Sequence, residues 1–92
     1  MTRVRWFPEA RDNVRAARQY IARDNPTAAK QTAKRIRDAV KGLATYPHMG
    51  REGRVAGTRE LVVPATSYIV VYRLRAEIVE ILTVLHGAQE YP

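Results

Sequence analysis

The chain has 92 residues, 46% of them apolar, and 16 Lys and Arg against nine Asp and Glu give it a net charge of +7. That length suits one domain, read here as residues 1–92, and the apolar content excludes wholesale disorder. The absence of cysteine excludes disulfides and thiolate metal sites, no apolar run nears the ~20 residues that cross a bilayer, and Met1 to Trp6 does not read as a secretory signal, so a cytoplasmic protein is expected.

Arg3 to Phe7 holds Val4, Trp6 and Phe7 and stops at Pro8, which predicts a strand followed by a helix with proline in its first turn. From Pro8 to about Asp24, Ala10, Val14, Ala17 and Ile21 recur at helical spacing. Asn25 is a good N-cap and Pro26 a good first residue for a second helix, expected to run to about Tyr46 before Pro47. Its apolar stripe is Ala29, Ala33, Ile36, Val40 and Leu43. So short a link implies an antiparallel helical hairpin, with Tyr20 and Tyr46 placed at a helix–sheet interface.

After the Gly50 to Gly57 loop the period changes. Arg59 to Val63, Ser67 to Leu74 and Ile78 to Leu85 read as strands, joined by Pro64-Ala65-Thr66 and Arg75-Ala76-Glu77. The last two are apolar on both faces and therefore central, so both sheet faces need cover. Trp6, Tyr68 and Tyr72 are expected in the core. The order β-α-α-β-β-β predicts a two-layer α+β fold: an N-terminal strand and a helical hairpin packed on a small, mainly antiparallel sheet.

Thirteen of the sixteen cations are arginine, which grips phosphate and carboxylate with two parallel hydrogen bonds, so an anionic partner is expected: RNA, DNA or an acidic protein segment. His48 and His86 lie far apart in the chain without clustered ligands, and the glycine loop lacks phosphate-loop spacing. No metal and no cofactor is expected.

Several strings, in order, carry a resemblance. They are Trp6-Phe7-Pro8-Glu9-Ala10, Asn25-Pro26-Thr27-Ala28-Ala29, Tyr46-Pro47-His48-Met49-Gly50-Arg51-Glu52-Gly53, and Gly57-Thr58-Arg59-Glu60-Leu61-Val62-Val63. Ser67-Tyr68-Ile69-Val70-Val71-Tyr72-Arg73 and Ile81 to Gln89 complete the set, which spans nearly the whole chain. Together they resemble the ParE/RelE superfamily of toxins from type II toxin–antitoxin systems. The resemblance implies an acidic, ParD-like antitoxin that wraps the toxin and folds on it. The helical region, Pro8 to Tyr46, suits that role with nine Lys and Arg against four Asp and Glu. Arg11, Arg15, Arg18, Lys34, Arg37, Lys41 and Arg73 are the expected antitoxin contacts.

Two branches share such a fold. ParE-like members poison DNA gyrase, which demands no catalytic residue of the toxin. RelE-like members cut messenger RNA on the ribosome, for which Arg59, Arg73, His86 and Tyr91 are the acid–base and phosphate-holding candidates here. The RelE pattern sets cations at positions that look like Glu60, Val62 and Ile69 in this chain, and other nuclease members follow the terminal His with Tyr, where this chain has Gly87. Those departures favour the ParE branch. A non-toxic basic binding module is the third reading. Short of catalysis, Arg59 and Glu60 are expected to pair with neighbours, Arg73 to be a solvated edge residue, and His86 a satisfied strand-end histidine.

Overall fold

Along β1 (Arg3–Trp6) exposure alternates residue by residue, with Val4 and Trp6 turned inward and Arg3 and Arg5 outward. The computed structural model describes residues 2–87 and 89. Pro8 then opens α1 (Pro8–Ala22), where a missing backbone N–H costs nothing, and the buried stripe is Ala10, Val14 and Ala17. Three residues later Asn25 caps α2 (Pro26–Gly42), its side chain accepting the Ala28 N–H at 3.0 Å. The short link folds α2 back onto α1, burying Ala29, Ala33, Ile36 and Val40.

The second helix ends at Gly42, four residues before the expected Tyr46. The N–H groups of Leu43, Ala44 and Thr45 bond three residues back, to Val40, Lys41 and Gly42, which tightens the chain into 3₁₀-type turns. Pro47 is therefore not what stops the helix. Tyr20 and Tyr46 are 68% and 64% exposed, so neither forms the helix–sheet interface. The interface is built instead from small and branched helix residues.

The sheet has five strands in the order β1-β5-β4-β3-β2. β3 (Arg59–Val62), β4 (Tyr68–Arg75) and β5 (Ile78–His86) form the expected antiparallel meander, and β1 lies parallel to β5. A two-residue strand absent from the sequence reading, β2 (Arg51–Glu52), pairs with β3. It escapes a pattern search because two residues show no period. Leu61, Val63, Val70, Tyr72, Val79, Ile81 and Val84 face the helices and make one core with Ala10, Val14, Ala33, Ile36, Val40 and Leu43. Trp6 and Tyr68 pack at its margin, and Tyr72 is wholly buried.

Beyond Trp6, β1 no longer covers β5. The Phe7 N–H still bonds the Ile81 carbonyl, and α1 then takes over the open edge. Asn13 Oδ1 accepts both the Val84 N–H at 2.9 Å and the Thr83 hydroxyl at 2.7 Å. A register irregularity between β4 and β5 falls beside this contact, at Val71 and Tyr72. No helix among the described residues is long and apolar enough to cross a membrane.

Candidate functional site

Two surfaces stand out, one on each side of the sheet. The first is a groove where β1 meets the helical hairpin. Val4 and Trp6 supply its floor from β1, Val14 from α1, and Val40 and Ala44 from α2 and the turn after it. Two hollows of about 370 and 470 Å³ share Trp6 and Arg37 and so form one continuous trough. Its rim is cationic. Arg11 and Arg15 sit one helical turn apart on α1, as Arg37 and Lys41 do on α2, and that spacing places each pair on one face. Only Arg15 of these four has an ion pair among the described residues, an exposed one with Asp12.

Of the cations expected to meet an acidic partner, the structure thus gathers Arg11, Arg15, Arg37 and Lys41 around one trough. Arg18 is exposed farther along α1. Lys34 is exposed on α2 and bonds Asp38 at 2.6 Å, which holds that carboxyl below its usual range. Arg73 lies apart, on the sheet face away from the helices. The groove floor was not singled out from sequence. Its signal was the alternation of Val4 and Trp6 against Arg3 and Arg5, which sets two large apolar residues on the inner face of one short strand.

The second surface is the helix-free sheet face. Glu60, Val62, Ile69, Val71 and Leu85 alternate onto it. Glu60 is only 2% exposed and its carboxylate is neutralised from outside: Arg51 lies 3.4 Å from one oxygen, and the Arg54 N–H donates to the other at 2.9 Å. Ile69 is buried and Val62 is half-exposed. The three positions at which a nuclease of this fold would carry cations thus hold a paired carboxylate and two aliphatic chains.

Of the nuclease candidates, Arg59, Arg73 and His86 lie among the described residues, and these three do not converge. Arg59 points to the other side of the sheet, where its guanidinium donates to the carbonyls of Gly50 at 2.7 Å and His48 at 3.3 Å. It pins the loop after α2. Arg73, expected as an edge residue, is on a central strand; its Nε donates to Glu80 at 2.6 Å and keeps that carboxyl below the usual glutamate range. His86 pairs with Tyr68 at the opposite end of the β4–β5 ladder, its ring edge-on to the tyrosine at 5.5 Å. From Tyr68 to Arg73 is five residues of strand, roughly 17 Å at ~3.4 Å per residue. Burial pushes the Tyr68 hydroxyl upward, and the neighbouring Tyr20 adds to this. Tyr91 lies outside the described residues. No group of three or more His, Asp or Glu among the described residues is placed to hold a metal ion.

Residues 4–91 match the model of the ParE toxin of type II toxin-antitoxin system, parDE. The chain belongs to the ParE toxin family. It is 44% identical over 90 residues to Y4kP of Sinorhizobium fredii, covering 98% of this chain and 93% of that protein. It is 36% identical over 89 residues to the toxin RelE2 of Caulobacter vibrioides, covering 97% and 99%. Among solved structures, the chromosomal ParDE system of P. aeruginosa matches with a TM-score of 0.86 at 21% identity, over 94% of this chain and 96% of that one. The toxin–antitoxin complex RelBE2 of Mycobacterium tuberculosis matches with a TM-score of 0.61 at 22% identity, over 92% and 96%. At such identities the two structures speak for the fold alone, and the fold is common to both branches. This chain is a toxin of the ParE/RelE kind.

Proposed function

We propose that this toxin is held silent by an acidic antitoxin segment seated in the β1–hairpin groove and that, once released, it acts by poisoning DNA gyrase. The observation that carries the choice of target is the dispersal of the acid–base candidates. RNA cleavage without metal needs a base, an acid and cations around one phosphate. Arg59 is spent on loop carbonyls, Arg73 on Glu80, and His86 lies at the far end of the sheet. Poisoning a topoisomerase requires only a binding surface. Trapping the enzyme with its DNA cut needs differential affinity for that state and no chemistry from the toxin.

The groove supports the other half of the reading. Its aliphatic and indole floor with an Arg and Lys rim suits an amphipathic acidic helix or strand, which buries its apolar side and meets the rim with its carboxylates. The test is direct. Full-length toxin at micromolar concentration, added to gyrase and supercoiled plasmid, should yield linear plasmid after detergent and protease, and prior addition of the antitoxin should abolish this. Unchanged plasmid, together with new 5′ ends in message on toxin-treated ribosomes, would move the assignment to the endoribonuclease branch.

A further inference from the structure

The helix-free face carries a feature that neither the groove nor the dispersed nuclease candidates explain. Strand register sets four arginines around two residues of β5. In one row Arg3 of β1 and Arg75 of β4 flank Ile78; in the next, Arg5 and Arg73 flank Glu80. Paired residues on neighbouring strands share a face. The arginines of β1 and β4 are thus roughly 10 Å apart across β5, and successive ones along a strand are roughly 7 Å apart.

Phe7 organises the second row. The guanidinium carbons of Arg5 and Arg73 lie 5.6 and 5.7 Å from its ring centroid, within range of cation–π attraction. Two guanidinium groups are thereby steadied in place before any ligand arrives, so less side-chain entropy is lost on binding. The charge is not balanced locally. Glu80 bonds Arg73, and Glu77 in the adjoining turn lines a hollow with Arg3. Among the described residues no ion pair holds Arg3, Arg5 or Arg75, and all three are exposed.

We propose that this arginine quartet is a binding site for the phosphate backbone of a nucleic acid. The chemistry selects this ligand over an acidic protein segment. A segment that folds on binding needs apolar surface to offset its ordering; the groove offers a floor of Val4, Trp6, Val14 and Val40, whereas what lies between the quartet's own rows is Ile78, Glu80 and the Phe7 ring, with Ile78 and Phe7 half-buried. Phosphates need cations, and arginine is the better geometric match to their oxygens. The patch uses arginine alone. The site stands independently of which enzyme or ribosome the toxin attacks.

The experiment is a titration of the full-length chain with a fluorescein-labelled duplex of about 20 base pairs, and with a single-stranded RNA of equal length, followed by anisotropy at several salt concentrations. The variant Arg3→Gln/Arg5→Gln/Arg75→Gln leaves the Arg73–Glu80 pair intact. It should weaken binding at least ~10-fold at 0.1 M salt and lower the log–log salt slope by roughly two to three, at ~0.9 per phosphate contact. The charge-matched variant Arg15→Gln/Arg18→Gln/Arg37→Gln should weaken it less than ~3-fold. Loss with either polymer carries the proposal, and the stronger loss names the preferred one. Equal losses in the two variants would reduce the site to overall charge and overturn it, as would polyglutamate competing as well as the duplex. If the triple variant does not fold, Arg75→Gln alone, at the tip of the β4–β5 hairpin, should still cost ~2- to 4-fold and lower the slope by about one.

Discussion

Tyr72 shows how much a single side chain can settle. It lies in the middle of β4 with no exposed surface, yet its hydroxyl donates to the Pro47 carbonyl at 2.8 Å and accepts the Gly50 N–H at 2.9 Å. Burial pushes its ionisation upward, although the Gly50 hydrogen bond opposes that. The neutral phenol is thus a clasp between the core and the loop after α2. Gly50 is the other half of the clasp, because any Cβ there would meet the tyrosine ring at 2.7 Å. Tyr72→Phe strands a buried N–H and a carbonyl, and should cost about 1–3 kcal/mol in urea unfolding with no change of m-value. A loss below about 0.5 kcal/mol would mean the loop is held by Arg59 alone. Glu60 illustrates the converse asymmetry. Its own carboxylate is buried while the Arg51 and Arg54 side chains reach solvent, so losing both would leave the costlier orphan, a buried carboxylate held by the Arg54 backbone N–H.

At the scale of elements, β4 and β5 form the longest ladder of the sheet, and their hairpin turns on an unusual pair. Ala76 and Glu77 occupy a two-residue turn with φ of 51° and 61°. Positive φ at both central residues matches the twist of the strands but suits Asn-Gly, and each ordinary residue there costs roughly 1 kcal/mol. Ala76→Asn/Glu77→Gly should therefore stabilise the protein by about 1–2 kcal/mol, read as a raised denaturation midpoint. A lowered midpoint would show that Glu77 contributes more through Arg3 and its surroundings than its backbone strain takes away. The hairpin was legible in sequence because both strands are long and apolar. The end of α2 was not, since the 3₁₀ tightening depends on where the loop must go to reach Tyr72, a tertiary demand invisible in the local pattern.

The whole molecule is a basic body with a cation-rimmed apolar groove on one side of the sheet and the quartet of Arg3, Arg5, Arg73 and Arg75 on the other. Acid should loosen it for a specific reason. Arg73 holds the Glu80 carboxyl below the usual glutamate range, with Arg75 and Arg5 contributing. The unfolded chain therefore takes up that proton at a higher pH than the folded one. The stability this pair contributes is present above the ordinary glutamate pKa and is lost as pH falls through the folded value. Melting temperature should drop from pH 7 toward pH 3.5, and Glu80→Gln should be less stable at pH 7 while showing a shallower drop. Parallel curves for the two proteins would assign the acid sensitivity to general charge repulsion instead.

Sequence alone determined the layers of this protein, because the 3.6-residue period of Ala29 to Val40 and the continuous apolar runs between Tyr68 and Leu85 are local properties. It also raised the expectation of an anionic partner, since charge adds without regard to fold. Which cations act together was decided only by tertiary structure. Arg73 looked like a companion of the hairpin arginines, and Arg59 like a companion of Arg73. Strand register turns Arg59 and Arg73 to opposite faces and brings Arg73 instead beside Arg5, which lies 68 residues away in sequence. The physical reason is the pleat: which face a strand residue takes, and which strand lies beside it, follow from pairing across the chain and not from its neighbours along it.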